Sequence, residues 1–165
     1  MKKIIVTMML LLPLCMVAQE LKIAIVNTQE VVNVMPEASA METEMANLKK
    51  QYDNQLKLLT DEHTKKYSDL MAQQDSLTEN IQKMRLQDIQ NLELRIENFQ
   101  QMASQELEKK YGELLKPIQE KLQKAIDQVG EENGYAGILD PRAFHYVGKA
   151  IIDATDKVKA KLGLK

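Results

Sequence analysis

Histidine is where metal or acid–base chemistry would show first, and the chain has only two, His63 and His145. Neither has a second nitrogen, thiolate or carboxylate partner at metal-ligand spacing, so the pattern does not describe a zinc site. No Ser/His/Asp arrangement, glycine-rich phosphate loop or paired-cysteine redox motif is present in the sequence. The single cysteine, Cys15, sits in an apolar leader. What remains is methionine. Met35, Met41, Met45, Met71, Met84 and Met102 follow the leader, and all but Met35 fall in one long polar–apolar stretch. A flexible, polarizable thioether suits surfaces that accept many partners through weak apolar contact. At one-face spacing the same residues also serve as ordinary helix-packing positions, as Met41 and Met45 do. These residue types point to binding without turnover, with no catalytic residue, metal or cofactor. Met71, Leu77, Ile81, Met84, Phe99 and Met102 are the candidate binding residues, the first four standing close to a bend.

The element that must carry them runs from Pro36 to about Glu131. Met41, Met45, Leu48, Tyr52, Leu56 and Leu59 recur in steps of three and four, one narrow stripe on a helix. After Gln73-Gln74-Asp75-Ser76 the stripe resumes at Ile81, Met84, Ile89, Leu92, Ile96, Phe99, Leu107, Leu114, Ile118, Leu122 and Val129. One unbroken helix of this length would be about 140 Å long with its seam uncovered. A hairpin lets the halves bury each other's stripes, with a bend near 72–80 and Ser76 or Thr78 as the cap of the second arm. An unbroken helix pairing with a second chain is the alternative. Gly112 and Pro117 lie within the second arm, and an interior proline predicts a kink near 112–117.

Residues 1–18 have the order of a secretory signal peptide: Lys2-Lys3, an apolar Ile4–Val17 and a small Ala18. A retained anchor and a lipoprotein centred on Cys15 are the alternatives; the apolar run is short for a span. Cleavage after Ala18 removes Cys15 and leaves a thiol-free chain starting at Gln19, suited to an envelope compartment. It also leaves 20 basic against 24 acidic residues, a net charge of −4. Nucleic acid is excluded as a partner, since phosphate binding needs a basic stripe, and an acidic chain also disfavours binding to a membrane surface. Two Phe and no Trp rule out a large aromatic core.

The chain ends supply the strands. Leu21–Val26 alternates, with Leu21, Ile23 and Ile25 on one face. Asn27 and Glu30 open a short helix, Thr28–Met35, with Val31, Val34 and Met35 turned inward. Pro36 starts the next helix as a first-turn residue. Beyond the arm, Gly130 and Asn133-Gly134 stop the helix. Tyr135–Leu139 reads as a strand, Asp140–Ala143 as a turn, and Phe144–Val147 as a second strand. Asp153 or Thr155 caps a last helix carrying Val158 and Leu162, with Lys157, Lys159, Lys161 and Lys165 toward its end. The organisation is therefore 19–36 and 132–165 forming a body, with 37–131 inserted between them as an arm. The class is α+β, mainly α. Three short strands leave open edges, which predicts an oligomer built through Ile23, Ile25, Ile138, Leu139, Phe144 and Tyr146.

Several of these stretches together resemble the Skp/OmpH family of periplasmic chaperones. They are Lys22-Ile23-Ala24-Ile25-Val26-Asn27, Val31-Val32, Pro36-Glu37, Asn133-Gly134-Tyr135, Ile138-Leu139-Asp140, Tyr146-Val147 and Ile152-Asp153-Ala154-Thr155. The resemblance implies a homotrimer whose strands form a small β-barrel with three tentacle-like arms around a cavity. It implies an ATP-independent holdase for unfolded outer-membrane proteins, with no catalytic residues. The best-known family members are strongly basic, unlike this chain, so lipopolysaccharide or membrane-surface binding does not carry over. A coiled-coil scaffold or adaptor bridging two envelope partners is the other reading.

Overall fold

The computed structural model describes residues 21–164; the leader, Cys15, Gln19 and Lys165 lie outside them. In chain order the elements are β1 (Ile23–Ile25), α1 (Thr28–Asn33), α2 (Pro36–Gln73), α3 (Glu79–Asn133), β2 (Gly137–Leu139), β3 (Ile152–Asp153) and α4 (Thr155–Lys161). Helix α2 has 38 residues and α3 has 55, about 57 Å and about 82 Å at 1.5 Å per residue. They are joined by a 3-10 turn at Gln74–Ser76 and run antiparallel. The register is visible in the polar contacts across the seam. Glu37 meets Lys121, Glu44 meets Lys110, Tyr52 meets Glu106, His63 meets Glu93 and Gln73 meets Arg85.

The seam between the arms is one residue wide. Leu59, Leu70, Ile89, Leu92 and Ala103 are buried, while Met41, Met45, Leu48, Tyr52 and Leu56 are half-buried. Tyr52 and Phe99 meet edge to face, with ring centroids 6.0 Å apart. Thr78 precedes α3 as its cap residue, without a side-chain hydrogen bond; the Ser76 hydroxyl instead donates to the Gln73 carbonyl at 2.8 Å. Helix α3 remains helical through Gly112 and Pro117. It ends in the left-handed conformation at Gly134, φ 62°, whose N–H bonds back to the Glu131 carbonyl.

Because α3 is the longer partner, its base extends past α2. Leu122, Ala125 and Val129 there form the main core with Ala24, Val26, Val31, Ala154 and Val158. The sheet has the order β2-β1-β3 and both pairings are parallel, Ala24 lying beside Ile138 and Ile152. Val26 N–H donates to the Leu139 carbonyl at 2.9 Å, and Ala154 N–H to the Ile25 carbonyl at 2.8 Å. Thr155, buried, accepts from Asn27 N–H at 3.0 Å, which ties α4 to the start of α1.

Two expectations for the body are corrected. Phe144–Val147 is not a strand, and the third strand is Ile152–Asp153. Asp140 accepts from the Thr28 hydroxyl at 2.7 Å and from the Arg142 backbone N–H at 2.9 Å. The following 3-10 turn, Pro141–Ala143, does not fold the chain back along β2. The outer place beside β1 goes to residues further on. The core side of β1 is Ala24 and Val26. A central parallel strand is covered on both faces, so apolar alternation does not mark its inner one. Second, Val34 points out while Val31 and Met35 are buried, because α1 closes at Asn33 and Val34 is its C-cap. At α4, Ala154 is the cap residue and Asp153 Oδ1 accepts from Thr155 N–H at 2.9 Å.

Two measurements check this body. A Cβ at Gly134 would meet nothing within 4 Å, so Gly134→Ala carries only the backbone cost of positive φ. Urea unfolding followed by circular dichroism should show a loss of about 1–2 kcal/mol. The Asp140 carboxyl is held well below its usual range, first by the Arg142 guanidinium, then by the Thr28 hydroxyl and the Arg142 backbone N–H. A depressed carboxyl stabilises the fold above its unfolded pKa of about 3.9, and that contribution fades as pH falls toward the folded value. Asp140→Asn should therefore cost about 1 kcal/mol at pH 7, with the gap to wild type closing below about pH 4.

Candidate functional site

The six candidate binding residues all lie on the arm, and the structure does not bring them onto one side of it. Exposure separates them first. Met84 is 67% exposed, and Met71, Ile81 and Met102 are 47%, 42% and 40%; Leu77 and Phe99 are half-buried, Phe99 against Tyr52. Helical spacing separates them again. Met84 and Met102 are about five full turns apart on α3 and share one azimuth. Glu106, Lys109 and Glu113 continue that face in steps of three and four. Together with Glu44, Asn47 and Gln51 of α2 they line a polar-walled groove that also takes in half-buried Leu48. Near the tip a second polar groove is lined by Lys66, Asp69, Gln73, Arg85 and Asp88, and Asp88 is one step of four beyond Met84.

The other side of the arm differs at its base. Tyr111, Leu115, Ile118 and Leu122 follow in steps of four, three and four on α3, and with Ala38, Met41 and Val32 they form an apolar groove under α1. Glu42 is at its edge. Heptad steps along α2 from Ser39, which also lines this groove, carry that face through Asp53, Thr60 and Tyr67, and one further step of four reaches Met71. Leu86 of α3, 47% exposed, stands at the level of Met71. Met71 thus belongs with Tyr67 and Leu86, while Met84 and Met102 belong to the polar side. The groove at the base was missed in the sequence because Tyr111, Leu115 and Val32 look like extra seam residues. Only the position of α1 makes them walls.

Cross-arm ion pairs lie along the polar side at the base. Lys110 Nζ is 2.8 Å from Glu44 Oε1, and this bond raises the lysine pKa. Lys121 pairs with Glu37 and holds its carboxyl below the usual range. Such exposed pairs set register more than stability. Further out, His63 Nε2 is 2.9 Å from Glu93 Oε1 and its ring stacks on Tyr67. No group of three or more metal-ligating side chains occurs among the described residues, and no helix there is long and apolar enough to cross a membrane.

The residues expected to build an oligomer are split as well. Ile25 is buried and Ile138 packs against the core, so these two are already used within the chain. Ile23 and Phe144 are half-buried. Leu139 and Tyr146 are exposed, Tyr146 by 80%, as are Val147 and Ile152. The outward edges of β2 and β3 thus carry apolar side chains beside unpaired strand backbone.

The sequence matches the family model described as "Outer membrane protein (OmpH-like)" over residues 22–162. No curated protein matches it. Among solved structures it is similar to a crystal structure from Caulobacter crescentus CB15, described as an outer membrane chaperone (OmpH-like). The TM-score is 0.74 at 18% identity, covering 85% of this chain and 82% of that one. At that identity the likeness shows a shared fold, the long helical hairpin standing on a small sheet. The family match runs from Lys22, just before β1, to Leu162 at the end of α4, and the chain belongs to the OmpH-like outer membrane protein family.

Proposed function

We propose that this protein is an exported, ATP-independent holdase that keeps unfolded outer-membrane proteins from aggregating in the periplasm. The observation that carries this reading is the arm itself. Two long helices bury only a narrow seam in each other and leave Leu58, Tyr67, Met71, Ile81, Met84, Leu86, Leu94 and Met102 exposed among charges. Scattered apolar contacts of this kind bind an unfolded chain weakly at many points, and release needs no chemical step. Family membership and the fold shared with the Caulobacter protein support the chaperone class.

The body supports the second half of the proposal, a homotrimer with its arms around a cavity. Edge strands with apolar side chains invite pairing with further copies. Leu139, Phe144, Tyr146 and Ile152 would be covered by that pairing. In the trimer the sheets of three copies would close into a small barrel, with residues 37–131 hanging from it as arms. Exposed Met71, Ile81, Met84 and Met102, with Leu77 and Phe99 at their margins, would then contact client. With a net charge of −4 after leader removal, recognition would rest on apolar contact and not on attraction to acidic lipid.

Light scattering on the mature protein should give the mass of three chains, and Leu139→Asp with Tyr146→Asp should shift it toward one. A monomeric wild type would overturn the trimer. For client holding, a urea-denatured outer-membrane β-barrel protein is diluted into buffer and its turbidity recorded. Stoichiometric protein should suppress aggregation without ATP. Met71→Ser with Met84→Ser should raise the concentration needed about three- to tenfold, an expected loss of about 1 kcal/mol for two partly exposed thioethers. Unchanged turbidity with wild type present would sink the holdase reading.

A further inference from the structure

We infer that the groove at the base of the arm is a seat for one short, extended, uncharged segment of polypeptide. This deepens the holdase reading and rests on it for the identity of the client. The groove is open space of about 600 Å³ between α1 on one wall and α2 and α3 on the other. Its floor is apolar and firmly supported. Ile118 and Ala38 are buried in a core cluster with Met35, and Val32 and Met41 pack against that cluster. Tyr111, 48% exposed, and half-buried Leu115 stand at the mouth.

The rim decides the occupant. Gln29, Asn33, Ser39 and Gln119 line it with neutral amides and a hydroxyl. Gln29 Nε2 donates to Asn33 Oδ1 at 2.9 Å, a bond that does not involve Gln29 Oε1 or the Asn33 amide N–H groups. No lysine, arginine or histidine lines the groove, and its one charge is the Glu42 carboxylate. A phosphate, an acidic lipid or a nucleic acid would find no cation here and one repelling group. A helix offers no unpaired backbone along its length and has no use for such a rim. An extended segment carries an unsatisfied N–H and C=O at every residue, while its alternate side chains fall on one side. Apolar floor and amide rim together match that pattern. Unfolded β-barrel strands, with apolar and polar residues alternating, supply it.

The groove also accounts for the two-sided arm. One to two turns further out on the opposite side, Glu44, Gln51, Glu106 and Lys109 set charges of both signs around half-buried Leu48. Client would meet the arm first on the Tyr111 side, and the dispersed methionines would add contacts further out.

The test uses the full mature chain and an end-capped octapeptide in which Val and Tyr alternate with Thr and Gln, carrying a neutral fluorophore. Fluorescence anisotropy should show saturable binding. Tyr111→Ser with Leu115→Ser should weaken it at least tenfold, while Gln51→Ala with Lys109→Ala changes it less than twofold. Equal affinities for the two double variants would overturn the seat. Should the groove variant lose its helical circular dichroism, a crosslink replaces it. Gln119→Cys in the mature chain, where it is the single thiol, should capture a bromoacetyl form of the peptide and Gln51→Cys should not; equal capture would overturn the seat as well. A groove variant that lowers the mass by light scattering but leaves peptide affinity intact would make the groove a contact between copies, again against the proposal. Groove-dependent peptide binding by a protein that fails to hold the unfolded barrel would remove the holdase reading alone. Barrel holding with peptide affinity untouched by the groove variant would remove this inference alone.

Discussion

Parallel pairing of Ile23–Ile25 with Gly137–Leu139 is the constraint on which the rest of the molecule depends. Parallel neighbours cannot be joined by a tight turn, since the chain must be carried back to the starting end before the second strand begins. Here the return is the whole of residues 26–136, out along α2 and back along α3. The arm is thus the crossover connection of a parallel strand pair, enlarged far beyond what crossing requires. Its two bases must meet side by side in the body, so anything that moves one base relative to the other moves β1 against β2.

Closing so long a loop costs less than its length suggests, because closure entropy grows only with the logarithm of length. Contacts near the tip, Gln73 with Arg85 and His63 with Glu93, close much shorter loops than the strand pairing does. Helix α3 then joins arm to body, since its base supplies Leu122, Ala125 and Val129 to the main core while Ile118 supports the neighbouring cluster. Leu162 and Leu164, beyond α4, pack against both clusters and fasten them together.

That construction gives the arm two different stabilities along its length. Near the body it has α1, α4 and two core clusters behind it. Further out it has a single row of buried side chains and a few polar bridges exposed to water, which are worth little individually. A surface that yields locally and offers dispersed apolar side chains suits clients without fixed shape, and a supported groove suits a repeated local pattern within them. Both properties follow from one helix being longer than its partner.

Periodicity in steps of three and four, proline at 36, glycine at 134 and β-branched residues at Ile23–Val26 made the helices, the hairpin and the split strands legible in the sequence. These are local signals, each set by a residue and its near neighbours. The third strand was not local: whether Phe144–Val147 or Ile152–Asp153 lies beside β1 depends on where Asp140 meets Thr28, a contact between opposite ends of the chain. The core face of β1 was hidden for a related reason, since a central strand is covered on both sides and its pattern has no preferred one. The candidate methionines were identifiable as residue types, but their division between two sides of the arm needed the seam to be placed. The groove needed α1 to be laid across Tyr111 and Leu115. Sequence determined which segments are helical and that two of them pair; the tertiary structure decided which faces remain open, because an open face is defined by what fails to pack against it.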